Sequence, residues 1–389
     1  MMYLISTKYK KIYDEFIKNY EEIHVNPWHH INKDELNAIY DSLIVNIDVN
    51  DEYSFKYFMD YITKRLSGLD DAHSGYRFWG NKLPFVFQII EDEVLVKYPD
   101  ELKGYSLFSI NDIPIDKIIS ELDDVIVYGT IGKKISDVEA LLSNDKLFSL
   151  PSLRNTDEIE YRFEDENKNV LNKIINKNKK YENNFNYNEH LYEKNATYEI
   201  IDNCLIYTHS SVQLRFKETI EDAIKRLEQE DLGKVDTIIV DIRGNTGGHS
   251  KLNELLMNFL RRHSDKKLIC LTDYRVFSGG RFALRDLLAL GATSIGEGIG
   301  TPINSYGNFK LFSIDNHEFF VSTCYHHPCK HLQANSKEQF KELITKNLQT
   351  PIIFKPDIEV KQTKKDFLSG VDTTLRYAIK HSKINRKKR

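Results

Sequence analysis

Cysteine is scarce. The four present, Cys204, Cys270, Cys324 and Cys329, lie far apart or inside strand-like runs of a 389-residue chain. That pattern excludes a disulfide framework and fits a reduced, cytoplasmic setting. Long apolar runs are missing too: nowhere do ~18 apolar residues follow one another, so no membrane-spanning helix is expected. The opening MMYLISTKYKKIYDEF lacks the apolar core of a secretion signal. The expectation is a soluble, unexported chain, unless a leader has been trimmed from it. Charge of one sign is equally short, with a net value of −4. Nothing pulls the chain as a whole toward nucleic acid or an anionic membrane. The one basic run is the tail HSKINRKKR, which reads as a solvated terminus. Repeats of solenoid length are absent as well.

What is present is core material: 41% hydrophobic and 12% aromatic residues. The length exceeds what one hydrophobic core usually serves, so two or three domains are expected. Residues 1–78 read as helical. Tyr9, Ile12, Tyr13, Phe16, Ile17 and Tyr20 form one stripe at helical spacing. Asn32 stands as an N-cap with Glu35 three places on, ahead of Leu36, Ile39, Tyr40 and Leu43. A third helix closes at Gly68. In residues 79–195 the period shortens to strands, with turns at Pro99-Asp100 and Asn111-Asp112 and a helix from Ile115. Residues 164–197, rich in Asn and Lys, read as an exposed connection.

Residues 196–380 alternate strand and helix: CLIYTHSS, FKETIEDAIKRLEQED, VDTIIVDI, SKLNELLMNFLRR, KKLICLTD, GGRFALRDLLALG and TSIGE. Successive βα units predict a parallel sheet covered by helices, with chemistry near the carboxyl ends of the strands. Residues 381–389 are the basic tail.

Two loops at those strand ends carry the chemistry. VDIRGNTGG (240–248) empties an apolar strand into glycines, whose N–H groups suit a negative partner. Ser278 stands where a strand gives way to a helix, followed by Gly279 and Gly280. A serine on such a turn either caps the helix or presents Oγ as a nucleophile. With the N–H of Gly247 or Gly248 close by, the parts of an oxyanion hole are available.

DIRGNTGG resembles the signature of the C-terminal-processing (tail-specific) serine peptidases, the family that includes the tricorn core protease and interphotoreceptor retinoid-binding protein. The resemblance runs on through VFSGGRFALRDLLALGATSIGEG to FKPDIEVKQTKKDFLSGVDTTLRYAI. Upstream, LSGLDDAHSGYRF resembles the segment carrying the family's Asp-x-His, and LKGYSLFSINDIPIDKII its PDZ-like module in degenerate form. The resemblance implies an α/β fold: a crotonase-like catalytic domain, a PDZ-like module and an N-terminal helical region. It implies Ser278 as nucleophile, Gly247 and Gly279 as oxyanion hole, and no cofactor. The partner implied is a peptide or unstructured protein segment; homo-oligomerisation stays open.

One branch of the family activates its serine with a lysine after the Gly-Glu strand. Here Pro302 stands near that place and the next lysine is Lys310, so the resemblance points to the histidine branch and His73. That branch places a glutamate where this chain has Thr350 or a near neighbour. Glu297 either orients His73 in its place or is a structural part of the Gly-Glu strand, and Asp71 is the brace of the His73 loop. CYHHPCKH (324–331) offers Cys324, His326, Cys329 and His331 as zinc-type donors. Its spacing matches no familiar module, and no metal is expected. The rival function is a weakly active or inactive homologue that binds peptides or apolar ligands. A lipase-type elbow is excluded by the missing glycine two places before Ser278.

Overall fold

A computed structural model describes residues 2–45, 47, 51–68, 70–78, 80–154, 156–181, 196–212, 219–327, 332–344 and 351–384. The basic run of the tail beyond residue 384, and the Thr350 position, lie outside the described residues. Contacts divide the chain into two units. One comprises Met1–Ile89, Glu93–Asn183 and Pro302–Ile352; the other Ile90–Asp92, Asn184–Thr301 and Ile353–Arg389. Residues 302–352, read from sequence as part of a 196–380 domain, are thus counted with the N-terminal helices.

In the first unit the three expected helices form, at Met2–Ile23, Lys33–Ile44 and Glu52–Ser67. The whole aromatic and aliphatic stripe from Tyr9 to Tyr20 is buried, as are Leu36 and Tyr40. Asn32 Oδ1 accepts the Glu35 N–H at 2.9 Å and Glu35 returns a bond to the Asn32 N–H, a capping box. The third helix ends at Gly68 with φ 58°. These helices cover a hairpin, Ser305–Ile314 with His317–His326, to which Gly75–Arg77 adds an antiparallel strand. Phe319 of that hairpin meets the Phe16 ring at 5.1 Å and the Tyr76 ring at 5.3 Å. The hairpin therefore shares the helices' core, which explains why residues 302–352 side with the N-terminus.

A second sheet of the same unit runs in the order Val86–Ile90, Glu93–Tyr98, Ser106–Ile110, Glu158–Glu164, Val170–Asn176. Asn111 and Asp112 both adopt positive φ, 49° and 59°, the geometry a two-residue hairpin turn requires. The helix Ile115–Asp123 follows as expected. One expectation needs correction: within 164–197, residues Val170–Asn176 are a strand paired antiparallel with Glu158–Glu164. Of its seven residues only Ile175 is buried. An edge strand with so little to bury has no need of alternating hydrophobicity, so its sequence reads as a loop. Residues 182–195 of that stretch lie outside the described residues.

The second unit is a six-stranded sheet in the order Ile358–Glu359, Thr293–Gly296, Lys267–Thr272, Thr237–Asp241, Cys204–His209, Ala196–Ile201. The first five are parallel, as the βα alternation predicts, and Ala196–Ile201 is an antiparallel edge. Thr237–Asp241 is buried at every position, as a strand covered on both faces must be. The helix expected from Phe216 is described from Ile220, where Thr219 caps it; residues 213–218 lie outside the described residues. The further helices Asn253–Arg262, Gly279–Ala289, Lys364–Leu368 and Thr373–Ile384 belong to the same unit. Among the described residues no helix is long and apolar enough to cross a membrane.

If the hairpin is core to the helices, Phe319→Ala should lower the unfolding free energy by about 3–5 kcal/mol, the usual cost of emptying a buried aromatic site. Urea titration followed by tryptophan fluorescence measures it. A loss below about 1 kcal/mol would place the hairpin outside that core.

Candidate active site

The two glycine-bearing turns sit side by side at the carboxyl ends of neighbouring parallel strands, Thr237–Asp241 and Lys267–Thr272. They touch backbone to backbone. The Phe277 N–H donates to the Asn245 carbonyl at 2.9 Å. A Cβ on Gly280 would stand 2.3 Å from that same carbonyl oxygen. At Gly247, φ is 100° and a Cβ would stand 2.4 Å from the Gly279 nitrogen and 2.9 Å from the Ser278 Cβ. No side chain fits between these turns, which is the physical reason for the glycines.

Asn245 holds the first turn together and is fully buried. Its Nδ2 donates to the His209 carbonyl at 2.8 Å, and its Oδ1 accepts the Gly247 N–H at 2.9 Å. Arg243 reaches the other way. Its guanidinium forms two-pronged pairs with Asp241 (2.9 and 2.6 Å) and Asp372 (2.9 and 2.6 Å). Burial pushes the Asp372 carboxyl up, but the Arg243 bonds and charge outweigh it and hold it below the usual carboxylate range. Asp241, Arg243 and Asn245 thus fix the turn that carries the glycines.

Ser278 precedes the helix Gly279–Ala289 with φ 48° and ψ −117°. An N-cap residue normally has extended backbone and a side chain bonded to the first turn. Ser278 has neither: its side chain makes no capping bond. A non-glycine residue at such a φ stores of order 1–3 kcal/mol and persists only where surrounding structure imposes it. Here the imposing structure is the Asn245–Phe277 bond and the Gly247 contact. Among the described residues no hydrogen bond engages the N–H of Gly279 or of Gly248. The Gly247 N–H, by contrast, is engaged with Asn245.

Beneath Ser278 lies a buried pair that the sequence did not announce. His209 Nε2 lies 2.9 Å from Asn253 Oδ1, and Asn253 Nδ2 donates to the Gly279 carbonyl at 3.4 Å. Burial pushes the His209 ring down to about 4, against the opposing pull of Asn253, so it is neutral at working pH. A signal for Asn253 existed: it shares the helical stripe of Leu256, Met257 and Leu260, a polar residue on an apolar face.

His73 belongs to the first unit and is buried, in the turn before Gly75–Arg77. Its main-chain N–H donates to Asp71 Oδ1 at 3.2 Å. The same carboxylate accepts the Ser322 hydroxyl, and Ser74 Oγ accepts the Ser322 N–H at 2.9 Å. Burial would raise the Asp71 carboxyl, but the His24 ring close beside it, then Ser322 and Ser74, bring it down to about 2. Asp71 thus braces the loop, as the sequence led one to expect.

Glu297 sits just past Thr293–Gly296, fixed through its main chain: its N–H donates to the Thr272 carbonyl at 3.0 Å and its carbonyl accepts Thr272 Oγ1 at 2.7 Å. Lys310 is exposed on the hairpin of the first unit. Of the zinc-type donors, Cys324 and His326 share one face of a strand, Sγ to Nε2 3.5 Å, with the thiol also 3.1 Å from the Gly307 carbonyl. Cys329 and His331 lie outside the described residues. The structure thus brings Gly247, Ser278 and Gly279 into one cluster and fixes His73 and Glu297 in their own loops.

No family profile and no curated protein sequence matches the chain. Solved structures do. A serine-to-alanine variant of CPAF covers 98% of this chain and 97% of its own at 9% identity, with a TM-score of 0.70. Mature CPAF covers 99% and 98% at 9% identity, TM-score 0.63. Mature CPAF complexed with lactacystin covers 99% of both at 10% identity, TM-score 0.61. CPAF is a serine peptidase of the tail-specific class, the class the sequence motifs resemble. At such identities the shared property is the fold, and it extends over the whole chain.

The strain at Ser278 gives a stability test. Ser278→Gly should be more stable than Ser278→Ala by about 1 kcal/mol or more, because only glycine adopts this φ without penalty. Chemical denaturation of the two variants decides it. Equal stabilities would mean that the turn relaxes and that no strain is imposed on the serine.

Proposed function

We propose that this protein is a serine endopeptidase that hydrolyses peptides or unstructured protein segments through an acyl-enzyme on Ser278. The observation that carries the proposal is the uncapped, positive-φ Ser278 pressed against Gly247 at the N-terminus of a helix. The whole-chain likeness in fold to CPAF supports it. On this reading the second unit is a crotonase-type sheet, and the six-stranded sheet from Val86 to Asn176 a degenerate PDZ-like module that tethers substrate, partly by strand addition.

Serine attacks the scissile carbonyl as a base removes its proton. His73 is the proposed base, supported by its Asp-x-His setting. Imidazole titrates near neutrality, so it accepts the proton and returns it to the leaving amine. Negative charge then develops on the carbonyl oxygen, where the N-terminus of Gly279–Ala289 is favourable. Gly279 supplies one donor. Gly247 supplies the second once Asn245 shares or releases its N–H; the N–H of Gly248 is the neighbouring alternative. Glu297 remains the proposed orienter, and an enzyme with an imperfect orienter keeps its mechanism while losing up to about 10⁴ in turnover. The engaged Gly247 N–H favours, as the second reading, a weakly active homologue that chiefly binds peptide.

The test uses a fluorophosphonate probe and an unstructured peptide substrate. The wild-type chain should be labelled at Ser278 and should cleave the peptide, while Ser278→Ala, still folded, does neither. His73→Gln should lose nearly all turnover together with the acid limb of the rate–pH curve. Gly247→Ala should lower turnover at least tenfold with little change in KM, because oxyanion donors act on transition-state charge. Undiminished cleavage by folded Ser278→Ala would overturn the assignment; peptide binding without cleavage in the wild type would favour the second reading.

A further inference from the structure

The turn between the first two helices, HVNPWHH (24–30), holds three histidines, and two of them bear on the loop that carries His73. His29 Nδ1 lies 2.9 Å from the Asn26 carbonyl oxygen. Its Nε2 lies 3.2 Å from the Ser67 carbonyl oxygen and 3.4 Å from Asp70 Oδ1. Carbonyl and carboxylate oxygens only accept, so both ring nitrogens must donate, and the ring that does so is the imidazolium. Ser67 ends the third helix, where the dipole favours a cation. His24 stands in the opposite state. The Asn26 N–H donates to its Nδ1 at 3.0 Å, which leaves the proton on Nε2, 3.3 Å from Asp71 Oδ2.

We propose that this turn is a positioning device for the His73 loop, with His29 a partly buried imidazolium clamped between the end of the third helix and Asp70, and His24 a neutral ring set against Asp71. The proposal rests on the reading of His73 as base and adds positioning residues to it. Asp70 and Asp71 precede His73 by three and two residues, and Asp71 holds the His73 N–H. The hairpin closes the loop from the other side, because the Tyr306 N–H donates to the Asp70 carbonyl at 3.2 Å and Tyr306 Oη accepts from Asn26 Nδ2 at 3.1 Å. The two imidazoles stack with centroids 5.4 Å apart, and the Tyr306 ring lies 4.7 Å from His29. Gly68 leaves room for the neighbouring His30, whose ring would stand 2.8 Å from a Cβ there.

The groups that face His29 fix the direction of its titration. Burial pushes the ring down; Asp70, then Asp71 and the Asn26 carbonyl, outweigh burial and raise it above the ordinary histidine value. His30, half-exposed beside it, is pushed down by burial and then by the His29 charge, with smaller effects from Asp70, Lys64 and Arg65. Tyr306 and Tyr20 are pushed well up by burial and stay neutral. A raised histidine contributes its stabilisation in full below the unfolded value and loses it as pH rises through the folded value. The clamp therefore opens on the alkaline side. Neutral His29 would set a bare ring nitrogen against an oxygen lone pair, and the Asp70–His73 loop would shift.

The test needs two readouts on the full chain. In ¹⁵N-histidine-labelled protein at pH 7, His29 should show both ring nitrogens protonated and His24 the Nε2–H tautomer, with signals assigned from His24→Asn and His29→Gln. Asp70→Asn keeps the side-chain volume and should lower the His29 titration by at least about one pH unit. With peptide substrate, the same variant should bring the alkaline fall in kcat down by a similar shift, while KM stays within about twofold. A neutral His29 at pH 7 in the wild type overturns the proposal, and so does an alkaline limb unmoved in Asp70→Asn. Absence of both cleavage and Ser278 labelling in the wild type would instead overturn the peptidase reading; the nitrogen signals would then judge the His29 clamp alone.

Discussion

Everything at the Ser278 cluster depends on one close approach, the backbone of 245–248 lying directly on the backbone of 277–280. Two polypeptide turns meet at this distance only if no side chain intervenes and if their buried polar groups find partners. Glycines 247 and 280 meet the first condition. Asn245 meets the second, since one buried amide bonds the next strand's carbonyl and its own turn, while its main-chain oxygen takes the Phe277 N–H. The consequence is a serine forced out of the N-cap conformation. The geometry of Ser278 is a by-product of packing, and the strain it stores is held in place by hydrogen bonds several residues away.

The second unit supplies rigidity of the same kind from below. Arg243 ties the end of the central strand to Asp372 ahead of the last helix. His209 and Asn253 tie the neighbouring strand to the Gly279 carbonyl. The second linkage is buried and the first only partly so, and at the helix N-terminus the Gly279 N–H is left unengaged while those of Gly280 and Arg281 bond to Phe277 and Ser278. An anion placed there meets dipoles that are already aligned, which is the condition under which such donors act most strongly.

Much of this was legible in the sequence because the signals were periodic or local. The aromatic stripe of the first helix, the Asn32–Glu35 box, the Gly68 stop and the apolar Thr237–Asp241 strand are consequences of neighbours within a few residues. Ser278 and the GNTGG turn were legible as a pair of motifs. The Val170–Asn176 strand was not, because an edge strand with one buried residue carries no pattern. The siding of residues 302–352 with the N-terminal helices was also hidden. It depends on Phe319 meeting Phe16 across some three hundred residues, and no local signal encodes that meeting. His209, Asn253, His24 and His29 were missed for a third reason: a lone polar residue on an apolar face, or a histidine in a turn, reveals its partner only in three dimensions.

A buried and a partly buried histidine packed ring on ring would ordinarily avoid charge, since burial disfavours the imidazolium and each cation would repel the other. The first unit resolves the conflict by giving the rings unlike surroundings. His29 faces acceptors on both nitrogens, while His24 receives an N–H on one and is left a single proton for Asp71. Asp70 and Asp71, adjacent in sequence, are thereby met by different partners, one ionic and one neutral. A single positive charge among two carboxylates leaves the loop net negative at its root. That polarity suits the proposed role of His73, because an imidazolium formed there gains from nearby negative charge. The N-terminal helices, which read from sequence as no more than a core, are thus the framework on which the proposed base is held.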